Sequence, residues 1–132
     1  MRTCLAVAVL AAAGCGDPAR QSVPADKVAR VQLDDVYGLY KAHVERFKRP
    51  PAKLAQVEPW EPAYANGYAA ANEGQVVVRW GAPLTPAAGA APAVLAYVKD
   101  APEQGGFVLL QDGTVKRLSA AEFRAAPKAG LP

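Results

Sequence analysis

The fold prediction begins with QVVVRW (residues 75–80), AVLAYVK (93–99) and GFVLLQDGTVKRL (106–118). Valine, leucine and aromatic residues dominate these three runs, and turn residues separate them, as is typical of β-strands. Asp112-Gly113 lies between two apolar arms and predicts a hairpin with a type I′ turn, in which both central residues have positive φ. We therefore predict a small antiparallel sheet of three to four strands.

The strand boundaries follow from the turn residues around each run. We predict strands over 75–81, 93–99, 107–111 and 114–118, a loop rich in Pro, Ala and Gly over 83–92, and a turn over 100–106. The chain contains 12 prolines and 11 glycines, enough to divide it into short elements.

Helical patterns flank the strands. Apolar residues recur every three or four positions over 28–47, which predicts a main helix that ends at Pro50-Pro51. Its start stays open, because Asp34 could cap it as well as Asp26, and Gly38 within it indicates either close packing or a weaker helix.

Two shorter helices complete the predicted fold. The alanine-rich segment 62–72 predicts one, with Pro62 at its first position and Gly74 beyond its end, and 51–62 is a connector. Ser119 and Glu122 fit a capping box at the start of another, over 120–125. The predicted class is α+β: an N-terminal helix covers one face of the sheet, and a short C-terminal helix follows it.

The N-terminus, MRTCLAVAVLAAAGC, has the layout of a secretory signal peptide. Arg2 precedes an apolar core that is too short to span a bilayer as a permanent helix. Its end, Ala12-Ala13-Gly14-Cys15, resembles the lipobox of bacterial lipoproteins, in which the cysteine is lipidated and becomes the mature first residue. Ala12 stands where most lipoboxes have Leu, and ordinary cleavage after Ala13 is the alternative.

Cysteine usage favours lipidation of Cys15. Removal of a signal peptide over 1–14 takes Cys4 with it and leaves one cysteine, which cannot form an internal disulfide. A lipid thioether explains its presence in an oxidising exported compartment. We predict a lipidated Cys15 and flexible tether over 15–27, one domain over 28–127 and a frayed tail over 128–132.

The C-terminal stretch from Val94 to Phe123 resembles the tail of pseudopilin-like exported proteins of planctomycete type. Residues 39–57, LYKAHVERFKRPPAKLAQV, look like a helix of short exported proteins from the same bacteria. The resemblance implies a small α+β exported domain without a known activity. The residues that carry it in the tail are Ala96, Tyr97, Gly105, Gly106, Val108, Leu109, Asp112, Gly113, Val115, Leu118, Ser119, Glu122 and Phe123.

Residues that could carry catalysis or bind a metal are sparse. His43 is the single histidine, which excludes multi-histidine sites, and we predict a partly exposed structural role for it. Asp34-Asp35 are interpreted as helix-capping residues, and Asp112-Gly113 lacks the further ligands of a calcium loop. We therefore predict a protein that is not an enzyme and uses no cofactor.

The aromatic residues are interpreted mainly as core, with Trp60 in its proline-rich connector as the candidate partner surface. A net charge of +3 does not indicate nucleic-acid binding. We predict a lipid-anchored envelope protein on the periplasmic face of a membrane, the outer membrane by default, with an envelope protein as partner. The alternative is a subunit of a pseudopilus-like or secretion assembly.

Overall fold

The computed structural model describes residues 24–130, and it confirms the α+β class. Four strands form one antiparallel sheet in which they lie in their order along the chain, and the N-terminal helix packs on one face of it. The predicted signal peptide, Cys15 and the tether up to residue 23 lie outside the described residues. The elements are α1 (Ala25–Phe47), a 3-10 helix (Leu54–Ala63), α2 (Ala65–Asn72), β1 (Val76–Val78), β2 (Val94–Val98), α3 (Ala101–Gln104), β3 (Gly106–Leu110), β4 (Val115–Leu118) and α4 (Ala120–Ala125).

The β3–β4 hairpin is present, but its predicted type I′ turn is wrong. Within residues 24–130, Lys48 alone among the non-glycine residues has a positive φ, so Asp112 does not have one. Leu110 N donates to Thr114 O (2.8 Å) and Gly113 N donates to Leu110 O (3.0 Å), which makes a three-residue loop that ends on Gly113 at φ +90°.

The reason for the longer loop is the side chain of Gln111, which is buried beside the sheet. Its Oε1 accepts a hydrogen bond from Ala93 N (2.9 Å), and its Nε2 donates one to Pro83 O (2.8 Å). These bonds hold Gln111 out of the β3–β4 ladder and attach the 83–92 loop to the hairpin.

The sheet is buried on both faces at its centre. All five residues of β3 are buried, with Phe107 and Leu109 facing the α1 side and Val108 and Leu110 facing the α4 side. A register shift between Val94 and Ala96 interrupts the alternation of β2, as a β-bulge does. The small domain thus has two apolar clusters, one on each face of the sheet.

α1 begins at Ala25, so the predicted tether ends before residue 27. Pro24 holds the N-cap position, and neither Asp26 nor Asp34 caps the helix. The helix buries Leu33, Val36 and Tyr40 against the sheet. Twenty-three residues make it about 34 Å long, against about 17 Å for a five-residue strand. α1 therefore extends beyond the sheet, and three apolar residues of its predicted face are exposed by 40–49%: Val28, Val31 and Phe47.

α2 crosses α1 at two glycines. A Cβ on Gly38 would overlap the ring of Tyr64, and a Cβ on Gly67 would lie 2.6 Å from the backbone nitrogen of Val36. The Asp35 carboxylate accepts a hydrogen bond from Gly67 N at 3.1 Å. Asp35, predicted to cap its own helix, instead satisfies an amide in the first turn of the neighbouring one.

The segment before α2 is more helical than predicted. The 3-10 helix runs over ten residues, and α2 begins at Ala65, so Pro62 belongs to the 3-10 helix and does not start α2. At the other end of α2, Gly74 N donates to Ala71 O and Gln75 N donates to Ala70 O, the two bonds of a Schellman motif. Gly74 at φ +75° occupies the left-handed position of that motif.

The predicted frayed tail is wrong for residues 128–130. Ala129 is buried, its backbone N donates to Val94 O (2.8 Å), and Lys128 forms a parallel bridge with Val94. Arg79 Nε donates to the carbonyl of Ala129. Side-chain and backbone contacts from β2 and Arg79 therefore attach this segment to the domain.

The strand boundaries and the turn between β2 and β3 also differ from prediction. β1 spans three residues, and the chain then leaves the sheet at Gly81, whose N donates to Pro51 O (2.7 Å). Residues 100–106, predicted as a turn, contain the single helical turn α3 and the first residue of β3.

Candidate interaction surface

Four of the predicted site residues have structural roles. Asp112 Oδ1 accepts a hydrogen bond from Thr114 N (2.9 Å), and this bond holds the pKa of the Asp112 carboxyl below its usual range. Ser119 Oγ accepts from Glu122 N (3.1 Å), while Glu122 Oε1 accepts from Ser119 N (3.0 Å). The second bond lowers the pKa of Glu122. With Gly113 in the loop, these residues form the turn and the cap of α4.

Trp60 lies in a different part of the molecule, where the 3-10 helix meets the C-terminal end of α1. Its ring is half-buried and makes edge contacts with Phe47 (6.2 Å between centroids, 82°) and His43 (5.9 Å, 76°). The His43 and Phe47 rings are 4.9 Å apart. We call these three rings and the cations around them the Trp60 surface.

His43 is the buried member of this cluster. Its side chain is 3% exposed, so its predicted partial exposure is wrong. Its Nδ1 lies 3.0 Å from the carbonyl oxygen of Arg49. A carbonyl oxygen only accepts hydrogen bonds, so Nδ1 carries the hydrogen. The histidine therefore links α1 to the chain that leaves it and supports the ring of Phe47, which is 49% exposed.

Four exposed cations lie near the aromatic rings along the chain, and two of them, Arg46 and Arg49, lie beside the rings in the structure. The Arg46 guanidinium lies 5.6 Å from the Phe47 ring centroid. A shallow depression of about 310 Å³ has Arg49 and Phe47 in its lining, together with Ala55 and Gln56 of the 3-10 helix. The cations are Arg46, Lys48, Arg49 and Lys53.

Lys48 holds an unusual backbone position in this surface. It ends α1 in the left-handed conformation at φ 58°, with its N donating to Val44 O (2.8 Å). Helices usually place Gly or Asn at such a position, because a Cβ there costs about 1 kcal/mol or more. Lysine at this site keeps a positive charge at the negative end of the helix dipole.

A groove between α1 and α2 is a second recess. It holds about 400 Å³, and Val28 and Val31 face small side chains of α2, with Lys27 and Glu73 among its polar lining residues. Sequence reasoning missed it, because its two walls come from elements whose crossing depends on Gly38 and Gly67. The two exposed valines were assigned to the buried face of α1.

Tyr40 has a structural role. Tyr40 is fully buried, its hydroxyl donates to Ala82 O (2.5 Å), and its ring stacks on Trp80 at 6.1 Å. Burial raises the pKa of this phenol, which keeps it protonated as a hydrogen-bond donor.

Within residues 24–130, no group of three His, Cys, Asp or Glu residues is placed to hold a metal ion. The same residues include no helix long and apolar enough to cross a membrane. Compared with family models, with curated proteins and with solved structures, the chain matches none of them.

Proposed function

We propose that this protein is exported, carries a lipid on Cys15 and acts at the cell envelope as a non-enzymatic interaction module. The observation that carries the proposal is the sequence Ala12-Ala13-Gly14-Cys15 at the end of a short apolar core. The folded domain begins at Ala25, ten positions after Cys15, so the anchor and the domain are separate along the chain. The periplasmic face of the outer membrane is the proposed location.

The Trp60 surface is the proposed contact of this module. An exposed aromatic ring supported by two others and surrounded by arginine and lysine has the residue composition of interaction hot spots, where aromatic and Arg side chains are enriched. The predicted turn and cap residues, Asp112, Gly113, Ser119 and Glu122, are accounted for by hydrogen bonds within the domain. They need no further role in a pseudopilus-like assembly, which stays the alternative.

Intact-mass spectrometry of the mature protein, purified from its native membrane, tests the anchor. A chain that begins at Cys15 with the added mass of a diacylglyceryl group is the expected result. A chain that begins at Gly14 with an unmodified Cys15 would refute lipidation.

Photo-crosslinking tests the contact. p-Benzoyl-phenylalanine at position 47 replaces the exposed ring of the Trp60 surface, and the same group at Val77, which is 38% exposed in β1, is the matched control. We expect crosslinks to envelope components from position 47 and none from position 77. Equal crosslinking yields from both positions would refute the assignment of the contact to the Trp60 surface.

A further inference from the structure

We propose that the Trp60 surface lies on the anionic phospholipid headgroups of the membrane that holds the Cys15 anchor. The inference rests on the proposed function, because it deepens the assignment of the same surface. It gives the module two attachments: the lipid chains hold the protein, and the Trp60 surface sets its orientation.

The composition of the surface matches the interface of a bilayer. Aromatic rings are favoured at the level of the headgroups, and Lys and Arg are attracted to anionic lipid. Phe47 is the most exposed large apolar side chain among the described residues, and Trp60 packs beside it. The four cations are all exposed, so each can reach a phosphate without losing an internal partner to which its charge is paired.

Backbone contacts fix the chain positions that carry three of these cations. Lys48 is fixed in the left-handed cap of α1, and the carbonyl of Arg49 is bound by His43. Lys53 precedes the first turn of the 3-10 helix, whose Ala55 and Gln56 line the same depression as Phe47. Charge and apolar area are therefore presented together at one end of the domain.

Acidic residues near the surface leave its positive charge in place. Glu45 is paired with Lys41 one helical turn before it, at 3.8 Å. Glu58 and Glu61 line a neighbouring shallow depression, which shares Ala55 and Pro59 with the depression beside Phe47. The four cations and these three carboxylates, one of them already paired, leave a net positive face toward an anionic partner.

The length of the chain allows the anchor and the surface to share one membrane. The nine residues 16–24 between Cys15 and α1 span at most about 30 Å when extended. α1 is about 34 Å long, and the Trp60 surface lies at its far end. A helix that lies along the bilayer therefore brings Phe47 to the headgroups while the lipid on Cys15 remains inserted.

The experiment uses the full mature protein, with its mass recorded first, reconstituted into vesicles whose acyl chains carry bromine. Bromine quenches tryptophan emission at short range. In a Trp60→Phe variant the emission comes from Trp80, so the difference between wild type and this variant gives the emission of Trp60. One set of vesicles is phosphatidylcholine alone, and the other contains one-third phosphatidylglycerol. We expect Trp60 emission to be quenched in the anionic vesicles and much less in the neutral ones.

Two fourfold variants of equal charge test which cations act. Arg46→Gln, Lys48→Gln, Arg49→Gln and Lys53→Gln remove the cations of the Trp60 surface. Each cation near an anionic surface contributes about a fivefold change, so removal of all four should lower the equilibrium constant for docking by roughly 600-fold. The matched control replaces four exposed cations outside α1, Lys99, Lys116, Arg117 and Arg124, by Gln, and its quenching should equal that of wild type.

The outcomes separate this inference from the anchor. A lipidated chain whose Trp60 quenching is the same in both lipids, or the same in both fourfold variants, would overturn the inference and leave the anchor intact. A response of Trp60 to poly-L-glutamate without a response to anionic vesicles would also overturn it, because the partner would then be an acidic protein. A chain without lipid that still sediments with anionic vesicles would support the inference while refuting the anchor.

Discussion

Gly67→Ala tests the crossing of α1 and α2, because two opposing effects predict opposite signs. Alanine in a helix is favoured over glycine by about 1 kcal/mol, so helix propensity alone predicts a more stable protein. In the structure, a Cβ on Gly67 would lie 2.5 Å from Asp35 Cβ, 2.6 Å from Val36 N and 2.8 Å from Gln32 O. Carbon atoms in ordinary contact are about 3.5–4.0 Å apart, so the helices must separate by about 1 Å.

The magnitude follows from what that separation breaks. Two of the three crowded atoms belong to the backbone of α1, so a change of rotamer cannot relieve the contact. Overpacking of this kind costs about 1–3 kcal/mol. The hydrogen bond from Gly67 N to the Asp35 carboxylate also lengthens, at a cost of about 1–2 kcal/mol. After the gain in helix propensity is subtracted, we expect a loss of about 2 kcal/mol in the free energy of unfolding.

Urea denaturation of the full chain, followed by circular dichroism at 222 nm, measures this loss. For a domain of this size, about 2 kcal/mol corresponds to a fall in Tm of roughly 10 °C. Asn66→Ala is the control, since the residue before Gly67 is exposed and its substitution should change stability by no more than about 0.5 kcal/mol. A Gly67→Ala protein that is as stable as wild type, or more stable, would refute the close crossing.

Three further predictions concern the cap of α1, the tail and acid stability. Lys48→Gly should raise the free energy of unfolding by about 0.5–1 kcal/mol in urea titrations, since glycine adopts φ 58° without a Cβ penalty, and an unchanged midpoint would contradict the left-handed cap. Deletion of residues 128–132 should lower it by about 2 kcal/mol through lost hydrogen bonds and burial at Ala129, whereas a frayed tail would leave it unchanged. The pKa values of Asp112 and Glu122 are lower in the folded protein than the ordinary 3.8 and 4.5, so the unfolded chain binds more protons and stability should fall as the pH drops through this range. Asp112→Asn with Glu122→Gln should flatten that fall in urea midpoints measured between neutral and acidic pH, and an equal slope in both proteins would count against the two hydrogen bonds.

The sequence by itself determined what depends on neighbouring residues. The capping-box pattern at Ser119 and Glu122 corresponds to the two hydrogen bonds that start α4, because both partners lie within one turn. The apolar runs identified all four strands, and Gly113 marked the hairpin. Proline pairs and glycines also placed the ends of α1 and α2 within a few residues. In each case the deciding interaction spans a few positions of the chain.

Only the tertiary structure decided what depends on residues far apart. Asp35 has a backbone amide 32 positions away as its partner, so its role as a cap for α2 could not be read from α1 alone. Gln111 leaves the β3–β4 ladder because it bonds to Ala93 and to Pro83, 18 and 28 positions distant. His43, Phe47 and Trp60 meet because the 3-10 helix returns along α1. Helix and strand propensities depend on neighbouring residues and not on such contacts. Packing between distant elements therefore determines the turn, the helix crossing and the Trp60 surface.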